Sequence, residues 1–232
     1  MFGKNTTEVE SDSPSYDPRS GDTLITLSTG GILMFLTMAG MLAIAGTGLG
    51  GLVSTIYSIP VVGVVIFGLI LSVGRHLGLK GVKKDQDVLA VVGAILLVFG
   101  YAWFGGGILH PYEQSLYLPA IAITGMITTL ITLCAGGYVY FSNRDLSHWS
   151  KYSGIAFIGV IVSALIGSFF APFTLLAFGL AIIGFTCDLV YEVWMTSNSN
   201  RSPYANGIAL YVAFAGVFVH VLQLVLRMLA QD

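Results

Sequence analysis

The chain has 232 residues, of which 55% are hydrophobic and only 9% charged, with a formal net charge of −2. Soluble domains carry roughly 25% charged residues, so a water-solvated fold of this length is excluded and lipid must serve as solvent. The near-neutral balance also excludes a global attraction to nucleic acid or to acidic lipid.

Residues 1–22 are polar and hold Glu8, Glu10, Asp12, Asp17 and Asp22 with two prolines. Such a composition cannot bury a core, and it predicts a disordered tail. No cleavable leader is evident in it. Asn5-Thr6-Thr7 matches a glycosylation acceptor, unused if the tail is cytosolic as argued below. The rest, 23–232, reads as one transmembrane domain.

A membrane-spanning helix needs about 20 apolar residues, and seven such runs follow in order. The first is 23–45, followed by a glycine-rich link at 46–51. The second, 53–73, leads into a basic loop at 75–87, and the third is 88–109. His110-Pro111-Tyr112-Glu113 makes a short polar turn before the fourth run, 117–141. A polar loop at 142–153 precedes the fifth, 154–170. Pro172 marks a turn, and the sixth run ends at Met195. A loop rich in Ser and Asn, 196–206, leads to the seventh, 207–229. Open sheet edges do not survive in hydrocarbon, and the runs lack the alternation of barrel strands, so the expected fold is an all-α seven-helix bundle. Pro60 and Pro119 fall near run starts, where a missing N–H costs least. Gly46 and Gly50 form a GxxxG pair suited to close helix packing.

The basic residues set an orientation. Lys4, Arg19, Arg75, Lys80, Lys83, Lys84, Arg144, Lys151 and Arg201, nine of the ten, fall on one side of the seven-span arrangement. Only Arg227 falls on the other. Cytosolic loops carry the excess of Lys and Arg, so the N-terminus is expected in the cytosol and the C-terminus outside.

Ionisable residues inside spans are costly and usually functional. Of the 12 acids, only Asp188 and Glu192 lie inside a run, four residues apart and therefore on one face of the sixth helix. Two such carboxylates can hold a proton, bind a cation or latch onto a cationic side chain. The bland alternative places Glu192 at the interface, reaching to water. His220, Gln223 and Arg227 share a face of the seventh helix. His220 reads first as a hydrogen-bonded packing residue and second as a proton relay, and Arg227 as an interface anchor. Thr124, Thr128, Thr129 and Thr132 bond back to their own helix or line a polar path, the former being favoured.

Signals for other chemistries are weak. Gly46, Gly48 and Gly51 match GxGxxG, but no strand precedes them and no acid follows at the spacing a dinucleotide site requires. There is no P-loop, no HExxH and no Ser/His/Asp arrangement, so no enzyme, resident cofactor or bound metal is expected. Cys134 and Cys187 sit in apolar runs outside any metal-ligand spacing and read as small buried apolar residues.

Three stretches carry a family resemblance. Tyr140-Phe141-Ser142-Asn143-Arg144-Asp145-Leu146-Ser147 is similar to a basic-Asp-Leu/Phe-Ser junction of the transmembrane Bax inhibitor motif family. Phe185-Thr186-Cys187-Asp188-Leu189-Val190-Tyr191-Glu192 resembles its aromatic-rich run closing in Tyr-Asp, with Glu192 at the acidic position. Ala209-Leu210-Tyr211-Val212-Ala213-Phe214 resembles, in compressed form, its Ala-Leu-x-Leu-Tyr-Leu-Asp-Phe signature. The resemblance covers 124–228, while Pro60 and Arg75 bracket the second run at about the family's spacing for a proline and a basic cluster. It implies seven helices with a cytosolic N-terminus. It also implies a pH-sensitive acid pair on the last two helices that gates a calcium leak, with an arginine of the second helix as latch. Here Ala213 stands at the second acid's place, so that pair cannot form; Asp188 is the substitute carboxylate within one helix, and Arg75 the latch candidate.

Four functions are thereby ordered. The first is a pH-responsive leak with Ca²⁺ as permeant ion and Asp188 and Glu192 as the ion or proton site. The second is a non-conducting membrane protein of the same fold acting through protein partners or stress signalling, which Ala213 favours. A transporter ranks third, for want of a visible inverted repeat, and an intramembrane enzyme last. Short length and the lack of a proline-rich tail point to a prokaryotic plasma membrane.

Overall fold

The computed structural model describes residues 20–142 and 144–230, and the tail expected at 1–22 and the Asn5 acceptor fall outside them except for Ser20–Asp22. Among the described residues the chain forms eight α-helices in order: α1 (Ser20–Ala45), α2 (Gly48–Tyr57), α3 (Pro60–Lys83), α4 (Asp87–Leu109), α5 (Tyr117–Ser142), α6 (Trp149–Gly167), α7 (Ala171–Asn198) and α8 (Pro203–Leu229). Seven are long and apolar enough to cross a bilayer; α2 is not. Outward-facing residues such as Phe35, Ile95, Leu133 and Ile158 are more than half exposed in several cases, as lipid-facing side chains are.

Three sequence boundaries move. Four of the six residues of the glycine-rich link are helical: Gly48 opens α2, which takes the chain through Val53 to Tyr57 before a turn at Ser58 and Ile59. The second span therefore begins at Pro60, not at residue 53, and runs to Lys83. This corrects the reading of Arg75 as the start of a loop. Arg75 lies more than two turns inside α3, and the loop shrinks to residues 84–86. Lys80 and Lys83 fall in the last turn of the helix, where its terminal carbonyls favour cations. Likewise α6 begins at Trp149, inside the stretch expected to be loop.

The α3–α4 turn is tight. Gln86 N–H donates to the Gly81 carbonyl at 2.9 Å and Asp85 N–H to that of Val82 at 3.4 Å, while Asp85 takes φ 51°. This is a Schellman-type stop with Asp, which tolerates the left-handed region, in place of glycine.

α8 sits at the centre and packs against α1, α3, α4, α5 and α7. In its most apolar stretch 78% of residues are buried, against 22% in α1. It starts with Ser202 accepting from Ala205 N–H at 3.3 Å and Pro203 in the first turn, a favourable helix entry. Polar ties fix it to its neighbours. Thr37 and Tyr211 hydroxyls meet at 2.5 Å across α1 and α8, and Tyr101 Oη of α4 donates to the Val212 carbonyl at 2.6 Å.

α3 and α4 approach through glycines rather than through the expected Gly46–Gly50 pair. A Cβ on Gly93 would overlap the backbone of Gly78, and one on Gly81 would lie 2.7 Å from Ala90 Cα. Gly50 instead faces the ring of His110, whose Nδ1 donates to the Ala45 carbonyl at 3.0 Å. The cysteines divide: Cys187 is buried as expected, but Cys134 is exposed on the bundle's outer face, and both are free thiols. An apolar run crossing lipid has an outside as well as an inside, and Cys134 lies on the outside.

Candidate functional site

Short connections and antiparallel neighbours bring the ends of α3, α5 and α7 to one end of the bundle, here called the basic end. Asp188 and Glu192 lie on α7 near that end, and both face the interior, at 6% and 2% exposure. Arg75 reaches across from α3. Its Nη1 donates to Asp188 Oδ2 at 3.2 Å, and its Nη2 donates to Glu192 Oε1. One guanidinium thus bridges two carboxylates one helical turn apart, a use of its planar fork that a lysine could not match. The Glu192 carboxylate is buried and paired rather than exposed.

A fourth member was not foreseen. Arg201 Nη1 donates to Glu192 Oε2 at 2.7 Å. Arg201 precedes the Ser202-Pro203 entry to α8, so the chain turns back over the end of α7 and hangs this side chain above Glu192. In sequence it looked like an ordinary basic loop residue. The usable signal was adjacency: it is the first cation after the acidic face, nine residues beyond Glu192, with a Ser-Pro helix start immediately after it.

The cluster has two arginines and two carboxylates, so its formal charges balance. The carboxylates are buried, but the side chains of Arg75 and Arg201 are 31% and 27% exposed. The cluster therefore has a partly exposed arginine side and a buried carboxylate side towards the core. On the buried side Tyr101 and Tyr211 stack edge-to-face at 5.7 Å.

His220 takes no part in this cluster. Its Nδ1 donates to the Gly216 carbonyl of its own helix at 2.7 Å, and its ring lies among Phe104, Phe178 and Phe185. Gly216 leaves the notch that Phe185 fills, since a Cβ there would overlap the ring. Ala213 is fully buried in α8, beside the Val212 carbonyl that Tyr101 occupies. Arg227 lies 5.9 Å from the Phe178 ring. Of the α5 threonines, Thr132 bonds back to the Thr128 carbonyl at 2.9 Å, whereas the buried hydroxyls of Thr124 and Thr128 take no partner among the described residues.

The α5–α6 junction motif has a local structural reason. Asp145 accepts from Ser147 N–H at 2.8 Å and from Ser147 Oγ–H at 3.0 Å, and these bonds hold its carboxyl below the usual range. Leu146 between them is 1% exposed and pins the turn to the core.

Seven apolar helices enclosing a charged cluster define a polytopic integral membrane protein. The family of proteins described as inhibitor of apoptosis-promoting Bax1 matches residues 32–231. The chain belongs to this Bax inhibitor family. No curated protein and no solved structure matches it.

Proposed function

We propose that the protein is a pH-responsive cation leak, with Ca²⁺ as the permeant ion and the Arg75–Asp188–Glu192–Arg201 cluster as its gate. The observation that carries this reading is the bridging of Asp188 and Glu192 by one arginine from a different span. With both carboxylates charged, Arg75 ties α3 to α7. Protonating a carboxylate removes its attraction for the guanidinium, and the partly exposed arginine can then swing to water. That loosens the α3–α7 tie and leaves the carboxylate that stays ionised, an oxygen ligand of the kind Ca²⁺ prefers, on the pathway wall. No cofactor and no catalytic step enter this reading. It is set in a prokaryotic plasma membrane with the basic end and the N-terminus in the cytosol, supported by the clustering of Lys and Arg at that end.

The test is Ca²⁺ flux into liposomes holding the purified protein, between about pH 6 and pH 8, a window that buried carboxylates can reach. Wild type should leak more as the pH falls. Glu192→Gln should leak at every pH, with the pH dependence flattened. A folded protein that passes no Ca²⁺ at any pH would establish the second reading, a non-conducting member acting through protein partners, which the alanine at 213 favours.

A further inference from the structure

Arg201 stands over the buried acids on a link that is braced from both sides. At the end of α7, Thr196 Oγ1 donates to the Glu192 carbonyl at 2.8 Å and Ser199 Oγ to that of Met195 at 2.7 Å. At the start of α8, Ser202 Oγ accepts from Ala205 N–H at 3.3 Å, and Thr26 Oγ1 of α1 donates to the Pro203 carbonyl at 3.1 Å. The Arg201 guanidinium thus meets Glu192 through a short, local tether, nine residues long. Arg75 is placed differently. It reaches Asp188 and Glu192 from 113 and 117 residues away, on a helix that packs chiefly against α4, α8, α6 and α2. Keeping a local contact costs less chain entropy than keeping a distant one.

The charge balance makes this difference matter. With both acids ionised, two carboxylates face two guanidiniums. The other titratable groups within electrostatic reach of Asp188 are the Tyr101 phenol of α4 and the Cys187 thiol of α7, both uncharged at neutral pH. If either carboxylate loses its charge, two guanidiniums face one carboxylate. Surplus charge beside buried groups is costly, and it is relieved when one arginine swings to water. The two arginine side chains are similarly exposed, at 31% and 27%, so access to water does not choose between them. The tether does: Arg201 stays and Arg75 leaves.

We propose that Arg201 is a positioning residue of the gate, a fixed countercharge that converts the loss of one carboxylate charge into release of Arg75. Without Arg201 the same loss would leave one arginine and one carboxylate, a balanced pair, and α3 would stay tied to α7. This rests on the reading of the cluster as a gate, but the tie itself can be measured without conduction.

The test uses the full chain in lipid nanodiscs at neutral pH, with Cys134 and Cys187 replaced by alanine. Spin labels go on cysteines at the exposed positions Lys83 of α3 and Ser197 of α7, and pulsed electron paramagnetic resonance reads their separation. Wild type and Arg201→Gln should both keep the short separation. Glu192→Gln and Asp188→Asn should each lengthen it. Adding Arg201→Gln to either should restore it, whereas adding Arg201→Lys, which keeps the charge, should not. Ca²⁺ flux into liposomes should rise and fall with the separation by about fivefold, the shift in an equilibrium that one part-exposed ion pair produces. A residue that merely braced the cluster would act in the opposite sense, with Arg201→Gln lengthening the separation further. That result, a lengthened separation that Arg201→Gln leaves unchanged, or no lengthening in either carboxylate variant would overturn the proposal. Separations that follow the expected pattern without any Ca²⁺ flux would uphold the role of Arg201 and overturn the leak.

Discussion

Glu192 is the most contested residue of the molecule, shared between Arg75 at one oxygen and Arg201 at the other. Among the described residues Asp188 pairs with Arg75 alone. The two arginines are therefore not equivalent. Removing Arg75 strands Asp188 as a buried unpaired carboxylate, a change that costs about 3 kcal/mol or more. Removing Arg201 leaves both carboxylates with Arg75 and should cost about 1 kcal/mol, the scale of a part-exposed pair. Unfolding of Arg75→Gln and Arg201→Gln in micelles will measure both, and equal losses would mean that Arg201 holds the cluster as firmly as Arg75. At the α5–α6 junction the pH dependence has a definite sign. Ser147 lowers the carboxyl of Asp145 below its ordinary value. The turn is therefore fully stabilised above the unfolded carboxyl value of about 3.9 and loses that support as pH falls through the lowered folded value. Protection of the Ser147 amide against hydrogen exchange should drop across that acid range in wild type. In Asp145→Asn it should show no such step.

At the scale of elements, hydropathy was enough for the seven spans, because length and apolar content are local properties. It failed at α2, whose ten residues are too few to span and too apolar to look like a loop. It failed again at Arg75, where four cations between 75 and 84 read as a loop although the first three lie within α3. The carboxylates of α7 were legible because charge inside an apolar run stands out. Arg201 was not, because its partnership depends on where a tight turn lands. Glycine packing was equally hidden: the chain has 29 glycines, and nothing local distinguishes Gly93 from the rest. The backbone of Gly78 lies where a Gly93 Cβ would be built, so α4 would have to move as a body to admit it. Gly93→Ala should therefore destabilise by about 2–3 kcal/mol, the upper range for overpacking. At Gly125, where a Cβ would meet nothing, Ala should be neutral or slightly stabilising, since alanine favours a helix. Paired unfolding measurements in micelles check both; a neutral Gly93→Ala would show that the α3–α4 contact is looser than drawn.

For the whole molecule, the central burial of α8 and the distribution of charge bear on the same question, which end faces the cytosol. The seven spans, α8 among them, follow one another through short connections, so every connection belongs to one end or the other. One end gathers Lys80, Lys83, Lys84, Arg144, Lys151 and Arg201. The opposite end, where α4 meets α5, has His110 and Glu113 and, among the described arginines and lysines, is reached by Arg227 of α8 alone. Insertion retains short basic loops in the cytosol, so the end bearing the arginine–carboxylate cluster should face it and should respond to cytosolic pH. Replacing Cys134 and Cys187 by alanine gives a background into which single cysteines can be placed at the exposed positions Lys84, Ser147 and Glu113. In intact cells a membrane-impermeant maleimide should label the cysteine of Glu113→Cys and spare those of Lys84→Cys and Ser147→Cys until the membrane is opened. The reverse pattern would place the cluster on the outside, where the same carboxylates would sense external pH. Labelling of all three in intact cells would mean that the spans do not alternate as drawn.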